Sequence, residues 1–152
     1  MIRTFVRLEA FEPDAELARF ASERGETCGA AVSFVGYCRG QAEHGQVTQL
    51  ELEHYPGFTE SEIERIAHAI SVKHDLAHLL VIHRAGIVAA GEPIVLVAAL
   101  SSHRAAAFAA VEELMDYLKT DAPFWKRETG PGGARWIEPT AADQRRRAEH
   151  SS

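Results

Sequence analysis

Apolar residues recur along the 152-residue chain with two different periods, and the changes of period divide it into elements. Residues 2–8 alternate as a first strand, and residues 13–24 place Ala15, Leu17, Ala18, Phe20 and Ala21 at helical spacing. After a turn over 25–29, residues 30–39 are apolar on both faces, the pattern of a strand at the centre of a sheet. Its polar end is Arg39, and a flexible polar loop follows over 40–46. In residues 47–55, Leu50, Leu52 and His54 alternate with Glu51 and Glu53, so this strand has one wet face. Pro56-Gly57 closes it. Thr59 followed by Glu62 fits a capping box for a helix whose buried stripe is Ile63, Ile66, Ala67 and Ile70.

Residues 79–88 and 93–100 form two further strands across Ala89-Ala90-Gly91-Glu92, predicted to pair as a hairpin-like unit. Ser101 or Ser102 can cap the next helix, with a stripe through Ala107, Phe108, Val111, Leu114, Met115 and Leu118. Pro123 lacks an N–H and would clash with the preceding turn, so this helix must stop near Thr120. The aromatic-rich run 124–128 then reads as a strand, and with 134–138 it flanks a glycine-rich connection that fits a hairpin carrying Trp125 and Trp136. Beyond Pro139 the chain turns polar, with Arg145-Arg146-Arg147. The expected organisation is one domain over 1–138 and a polar tail over 139–152, frayed or ordered by a partner.

Composition narrows the classes of function. Hydrophobic residues make up 46% and charged residues 25%, an ordinary globular balance, and a chain of this length buries roughly 70% of its unfolded surface. The net charge of −6 speaks against non-specific nucleic-acid binding, so any cationic site must be local. No run approaches a membrane-spanning length and the N-terminus lacks a signal-peptide pattern, which makes a cytoplasmic protein the expectation. Cys28 and Cys38 form neither a CxxC pair nor a disulfide framework and are expected to be buried thiols. His74 and His78 are four apart, a metal-compatible helical spacing. With no Glu in an HExxH position and no third ligand, no metal site or cofactor is expected, and they read as solvated helix-end histidines.

The candidate chemistry lies in cations that their own elements explain poorly. Lys119 and Lys126 flank the sharp corner at Pro123, where two amines can converge. His103 and Arg104 occupy the first turn of a helix, against the positive end of its dipole, and Arg39 ends a strand. A helix N-terminus with Arg and His suits a phosphate, and a lysine crowded by cations or desolvated becomes a usable base or nucleophile. Taken singly, each cation also reads as surface charge: Lys119 complementing a helix C-terminus, Arg104 pairing a nearby acid, Arg39 solvated at a strand end. Spacing alone supports an anion-binding pocket with a candidate reactive lysine and assigns no reaction.

Several segments carry a resemblance: Gly29 to Arg39, Leu52-Glu53-His54-Tyr55-Pro56-Gly57, Val81-Ile82-His83-Arg84 and Ser102-His103-Arg104. The most specific are Met115-Asp116-Tyr117-Leu118-Lys119-Thr120 and Ala122-Pro123-Phe124-Trp125-Lys126-Arg127-Glu128, with Arg135-Trp136-Ile137-Glu138 closing the series. Together they resemble the large, catalytic subunit of molybdopterin synthase. The resemblance implies an α+β fold of the α/β-hammerhead type, with antiparallel strands and a C-terminal hairpin. It also implies a homodimer of large subunits with a small ubiquitin-like sulfur-carrier subunit at each outer end, a heterotetramer. In such an enzyme the partner's Gly-Gly C-terminus, activated as a thiocarboxylate, donates sulfur in two transfers that convert cyclic pyranopterin monophosphate into the dithiolene of molybdopterin.

Carried over by position, the resemblance makes Lys119 the principal catalytic residue and Lys126 its partner. Arg39, His103 and Arg104 would bind the substrate's phosphate and polar edge, with Tyr37 and Cys38 lining the strand end. Arg127 and Glu128 belong to the matching stretch, although alternation points Arg127 away from Lys126. Sulfur arriving on a partner's tail leaves Cys38 without a required role as a persulfide carrier. Two departures stand out: Gly40-Gln41-Ala42-Glu43 replaces a more polar turn, and Pro139-Thr140 stands where a basic residue often follows the last strand. The alternative is a non-catalytic module of the same fold that binds an anion or a peptide tail. Purified protein should contain no stoichiometric metal by elemental analysis; a bound ion would restore the histidine-site reading.

Overall fold

The structure, a computed structural model, describes residues 1–150. Strand β1 (Ile2–Arg7), helix α1 (Pro13–Ala21), β2 (Ala30–Tyr37), the short pair β3 (Gln41–Ala42) and β4 (Gly45–Gln46), and β5 (Gln49–His54) lead into α2 (Phe58–His74). Then follow β6 (His78–Arg84), β7 (Gly86–Ala89), β8 (Pro93–Ser101), α3 (Arg104–Thr120), β9 (Phe124–Gly130), β10 (Gly133–Ile137) and α4 (Ala141–Glu149). The fold is α+β, built on two four-stranded sheets. The first has the order β1-β6-β8-β2, with β1 parallel to β6 and the other pairs antiparallel; the second, β10-β9-β5-β7, is antiparallel throughout. No helix among the described residues is long and apolar enough to cross a membrane.

Strand alternation sorts the core into layers. Leu79, Val81, Val97 and Ala99 face α2 and α3, where Ile63, Ile66, Ile70, Ala110 and Leu114 meet them. Leu80, Ile82, Leu96 and Leu100 face the other way and pack under Phe11 and Phe20 of the α1 region. A smaller cluster of Cys38, Val47, Leu50, Leu52 and Val88 seats the second sheet, and Phe124 packs against both this cluster and the helical one.

Four expectations change. The strand 30–39 was expected at the centre of a sheet, but β2 is an edge whose ladder partner among the described residues is β8, leaving Phe34 and Tyr37 exposed. An apolar pattern reports that a face is coverable, and it cannot say by what. The run 79–88 divides at Ala85-Gly86: β6 pairs with β8, while β7 crosses to the second sheet after Gly86 at φ 80°. The helix expected to be capped by Thr59 starts earlier, with the Glu60 carboxylate accepting from the Gly57 N–H at 3.2 Å. Thr59 instead turns inward and is fully buried.

The fourth change concerns residues 139–152. Where a polar tail was expected, α4 forms behind a capping box in which Thr140 Oγ1 accepts from the Asp143 N–H and the Asp143 carboxylate accepts from the Thr140 N–H, both at 3.0 Å. Its cations meet acids on and just after α3: Arg146 donates to Asp116 and Glu112, Arg147 to Asp121, and His150 lies 2.8 Å from Asp116. The arginine run reads as solvated in one dimension because its carboxylates are some thirty residues away.

Glu113 anchors the other side of α3. Its buried carboxylate accepts from Lys73 Nζ and contacts His74 Nε2, both at 2.9 Å, so His74 is committed to an ion pair. Burial pushes the Glu113 carboxyl up, but the Lys73 and His74 hydrogen bonds and the Lys73 and His150 charges outweigh it and hold the group below its ordinary range. A depressed carboxyl adds stability above its unfolded pKa and loses it as pH falls through the folded value. Glu113→Ala is therefore expected to cost about 2 kcal/mol at neutral pH, moderated by the half-exposed Lys73, with the deficit shrinking in urea melts carried out under acid conditions.

Candidate active site

The corner between α3 and β9 is held from both sides. At the helix end the Asp121 N–H donates to the Tyr117 carbonyl at 2.7 Å, and Thr120 Oγ1 donates to the Asp121 carboxylate at 2.8 Å. At Pro123 the carbonyl accepts from Thr59 Oγ1 at 3.1 Å, and Thr59 Oγ1 in turn accepts from the Tyr55 N–H at 2.9 Å. The β5–α2 junction thereby fastens the turn.

Past this turn, Phe124, Lys126 and Glu128 fall on one face of β9 and Trp125 and Arg127 on the other. Lys126 lies opposite Leu52 of β5 and Ile137 of β10, at the centre of the second sheet. Burial, followed by the positive charge of Lys119 and opposed by Asp143, brings its amine down to about 8. Lys119 projects from the last turn of α3. Both lysine charges also bear on His83 and on Asp143, so the corner does fold the two amines into one electrostatic neighbourhood. Asp143 is the carboxylate that faces them: burial raises its pKa, and the Thr140 hydrogen bonds and the two lysines outweigh that rise.

Tyr37, Cys38 and Arg39 approach from the end of β2. Since β8 runs antiparallel to β2 and α3 returns from the end of β8, the end of β2 and the end of α3 lie at the same pole of the sheet. Arg39 thus belongs to the lysine pole. The Cys38 thiol is buried and raised, first by burial and then by the charges of Glu128 and Glu92, against a Leu50 backbone hydrogen bond. A thiol kept protonated is a poor nucleophile. Glu128 sits on the Lys126 face and pairs with His44 at 3.5 Å.

Three predicted residues do not join this group. Arg127 occupies the opposite face of β9, ion-paired with Glu51 and with its guanidinium 5.4 Å from the Trp136 ring centre. That face carries an open groove of about 740 Å³ lined by Leu8, Glu53, Tyr55, Trp125, Trp136 and Glu138, in which Trp125 Nε1–H donates to the Tyr55 hydroxyl. His103 and Arg104 lie at the start of α3. Sixteen positions of helix rise separate His103 from Lys119 and fifteen separate Arg104, about 22–24 Å, so one protomer cannot bring them to its own lysines. They line a separate groove of about 430 Å³ with Gly29, Ser102 and Ala105. Gly29 is required there, because a Cβ would stand 2.3 Å from the Ser102 carbonyl oxygen.

Asp143, Thr59 and His83 were not singled out as site residues. Thr59 was legible as a helix-start residue but its partner is not local, and Asp143 was hidden inside an apparent tail. His83 had a visible signal, a polar ring in an otherwise apolar strand. His74 and His78, expected as solvated helix-end histidines, are both engaged: His74 lies on Glu113, and His78 is on β6, where its Nδ1 lies 3.3 Å from the Met1 amine. Among the described residues no group of three ligating side chains could hold a metal.

The class these features define is a two-sheet α+β protein with a cationic corner assembled from a helix end and a strand start. The sequence profile of the MoaE protein family matches residues 6–121, and the chain belongs to that family. It is 48% identical over 136 residues to the molybdopterin synthase catalytic subunit of Caulobacter vibrioides, an alignment covering 90% of this chain and 89% of that protein. The catalytic subunit from Pseudomonas aeruginosa is 46% identical over 91% of this chain and 92% of its own. Among solved structures, the molybdopterin biosynthesis MoaE protein of Burkholderia ambifaria superposes with TM-score 0.79 at 38% identity, covering 99% of this chain and 97% of that one.

Removing the hydroxyl that fastens the corner tests its role. Thr59→Val should leave the Tyr55 N–H and the Pro123 carbonyl unpaired, at a cost of about 1–2 kcal/mol, read as a melting point lowered by a few degrees. Any activity lost beyond that of an equally destabilised variant elsewhere measures the positioning of the lysines.

Proposed function

We propose that this chain is the catalytic subunit of a molybdopterin synthase. It transfers sulfur from the thiocarboxylated Gly-Gly C-terminus of a small ubiquitin-like subunit to cyclic pyranopterin monophosphate. The observation that carries this reading is the pair Lys119 and Lys126 placed in one neighbourhood around the Pro123 corner, with the Lys126 amine held below the ordinary lysine range. A thiocarboxylate and a phosphorylated pterin are both anionic, which suits a local cationic pocket on a chain of net charge −6. The lysines stabilise negative charge as the thiocarboxylate sulfur bonds to the pterin side chain in place of an oxygen substituent, and they polarise the resulting thioester carbonyl for water, which cleaves the acyl C–S bond and releases the tail as a carboxylate. Arg39 and Glu128 border the same pole, and the reaction belongs to the cytoplasm.

In this reading the phosphate-binding residues come from a second copy. β2 is an open edge, and two such edges paired antiparallel about a two-fold axis would set the beginning of one β2 beside the end of the other. His103 and Arg104 of one protomer, next to the start of its β2, would then approach Arg39 and Lys119 of its mate. The homodimer is thus part of the site.

Lys119→Ala should lower product formation by about 100-fold or more while binding of the small subunit persists; unchanged turnover with thiocarboxylated partner and pterin precursor would refute the assignment, and binding without dithiolene formation in the wild type would favour a tail-binding module. Dimers mixed from Lys119→Ala and Arg104→Ala chains should recover activity well above either parent, because one of their two sites is intact. Because Lys126 acts in its charged form, the rate should fall as pH rises through about 8, and Lys126→Arg should move that limb to higher pH.

A further inference from the structure

The outer face of the second sheet stays open to solvent. One row of side chains crosses all four of its strands: Ile87 of β7 stands opposite Glu51 of β5, Glu51 opposite Arg127 of β9, and Arg127 opposite Trp136 of β10. In the next row Glu53 stands opposite Trp125. Strand alternation turns these residues away from the side that holds Lys126. The aromatic groups are held in place. Trp125 Nε1–H donates to the Tyr55 hydroxyl, the two indoles meet edge to face with centroids 6.4 Å apart, and the Arg127 guanidinium lies over Trp136 while paired with Glu51. Even so, Trp125 is 54% exposed, Trp136 55% and Ile87 57%. Large apolar side chains fixed in water mark a binding surface, since tryptophan supplies much contact area at little entropic cost.

The charges on this face select what fits it. Arg127 is engaged by Glu51, whereas Glu53 and Glu138, which line the groove with Trp125, meet no hydrogen-bonding or ionic partner among the described residues. Unpaired carboxylates beside exposed indoles suit lysine or arginine side chains, which lay their stems or guanidinium planes on the rings and carry their charge to the acids. Arg127 over Trp136 is that contact made within the chain. A second copy of this chain fits poorly, because a two-fold contact sets a patch against itself and Glu53 and Glu138 would oppose their own equivalents.

The place of the groove relative to Lys126 then narrows the occupant. Lys126 follows Trp125 in β9, and β10 lies between β9 and the edge of the sheet. A chain that leaves the groove and rounds β10 to the Lys126 side crosses two strand spacings, about 10 Å, and a similar depth through the sheet, which roughly six extended residues cover. We propose that the face formed by Trp125, Trp136, Glu53 and Glu138 is where the small sulfur-carrier subunit docks, presenting an apolar patch edged with lysine or arginine while its C-terminal tail passes round β10 to the lysines. The proposal rests on the sulfur-transfer reading above, which supplies a partner with a tail.

Both tryptophans of the chain lie on this face, so nitrogen-15 labelling of the indoles gives two signals that report on it alone. Adding unlabelled small subunit to the labelled full chain should shift or broaden both, and two indoles unmoved by excess partner overturn the proposal. By calorimetry, Trp136→Ala should weaken binding of the small subunit about 10-fold or more, and Glu53→Lys combined with Glu138→Lys should weaken it by about the same factor, an effect that shrinks as salt is raised. Both carboxylates are exposed, so the charge-reversed chain decides the matter should Trp136→Ala fail to fold. Unchanged affinity in that chain overturns the proposal. So do indole shifts that follow the chain's own concentration without partner, which would mark a contact between copies. Failure of the sulfur-transfer reading looks different: the small subunit would bind at the indoles and no dithiolene would form.

Discussion

The hydrogen bond from Thr59 to the Pro123 carbonyl is the contact on which the cationic corner depends. A proline can end a helix, but it does not determine where the chain goes next. Here the direction is imposed from outside: the buried Thr59 hydroxyl accepts from Tyr55 and donates to Pro123, so the start of α2 and the end of β5 decide how β9 leaves α3. Because β9 then enters the second sheet beside β5, Lys126 is registered against Leu52 and cannot move independently of that sheet. A few ångströms of error at the turn would separate the amines.

Electrostatics at this corner works by withholding full neutralisation. Two lysines stand close enough to depress one of them, and the groups around them are a neutral histidine and one carboxylate, Asp143, which is already bound by the Thr140 cap. Such an arrangement is costly in the free protein and relieved by an anionic ligand. Elsewhere the chain does the reverse, surrounding Glu113, Asp116 and Asp121 with Lys73, His74, His150, Arg146 and Arg147. The acids of α3 are satisfied by α2 and α4, so the cations left for chemistry are those at its two ends.

Those ends are a helix length apart, and β2 is an open sheet edge running between the same two poles. Exposed Phe34 and Tyr37 on that strand, with Phe108 on α3, are what a monomer leaves uncovered. The proposed homodimer would unite His103-Arg104 of one protomer with Lys119 of its mate, which one chain cannot do by itself.

Much of this protein was legible in one dimension. Periodicity located most of the helices and strands, Pro123 marked the end of α3, and alternation along β9 placed Lys126 and Arg127 on opposite faces, because these follow from local geometry alone. What tertiary structure decided was everything that depends on which surface covers another. The apolar pattern of β2 could not reveal an edge, and the polar run containing Arg146 and Arg147 could not reveal α4, since its acids lie on α3. Thr59 could be read as a cap but not as the fastening of a turn 64 residues away. The distance between His103 and Lys119 was set by the helix between them, whereas the open edge of β2, on which the proposal of a two-chain pocket rests, emerged only from the tertiary structure.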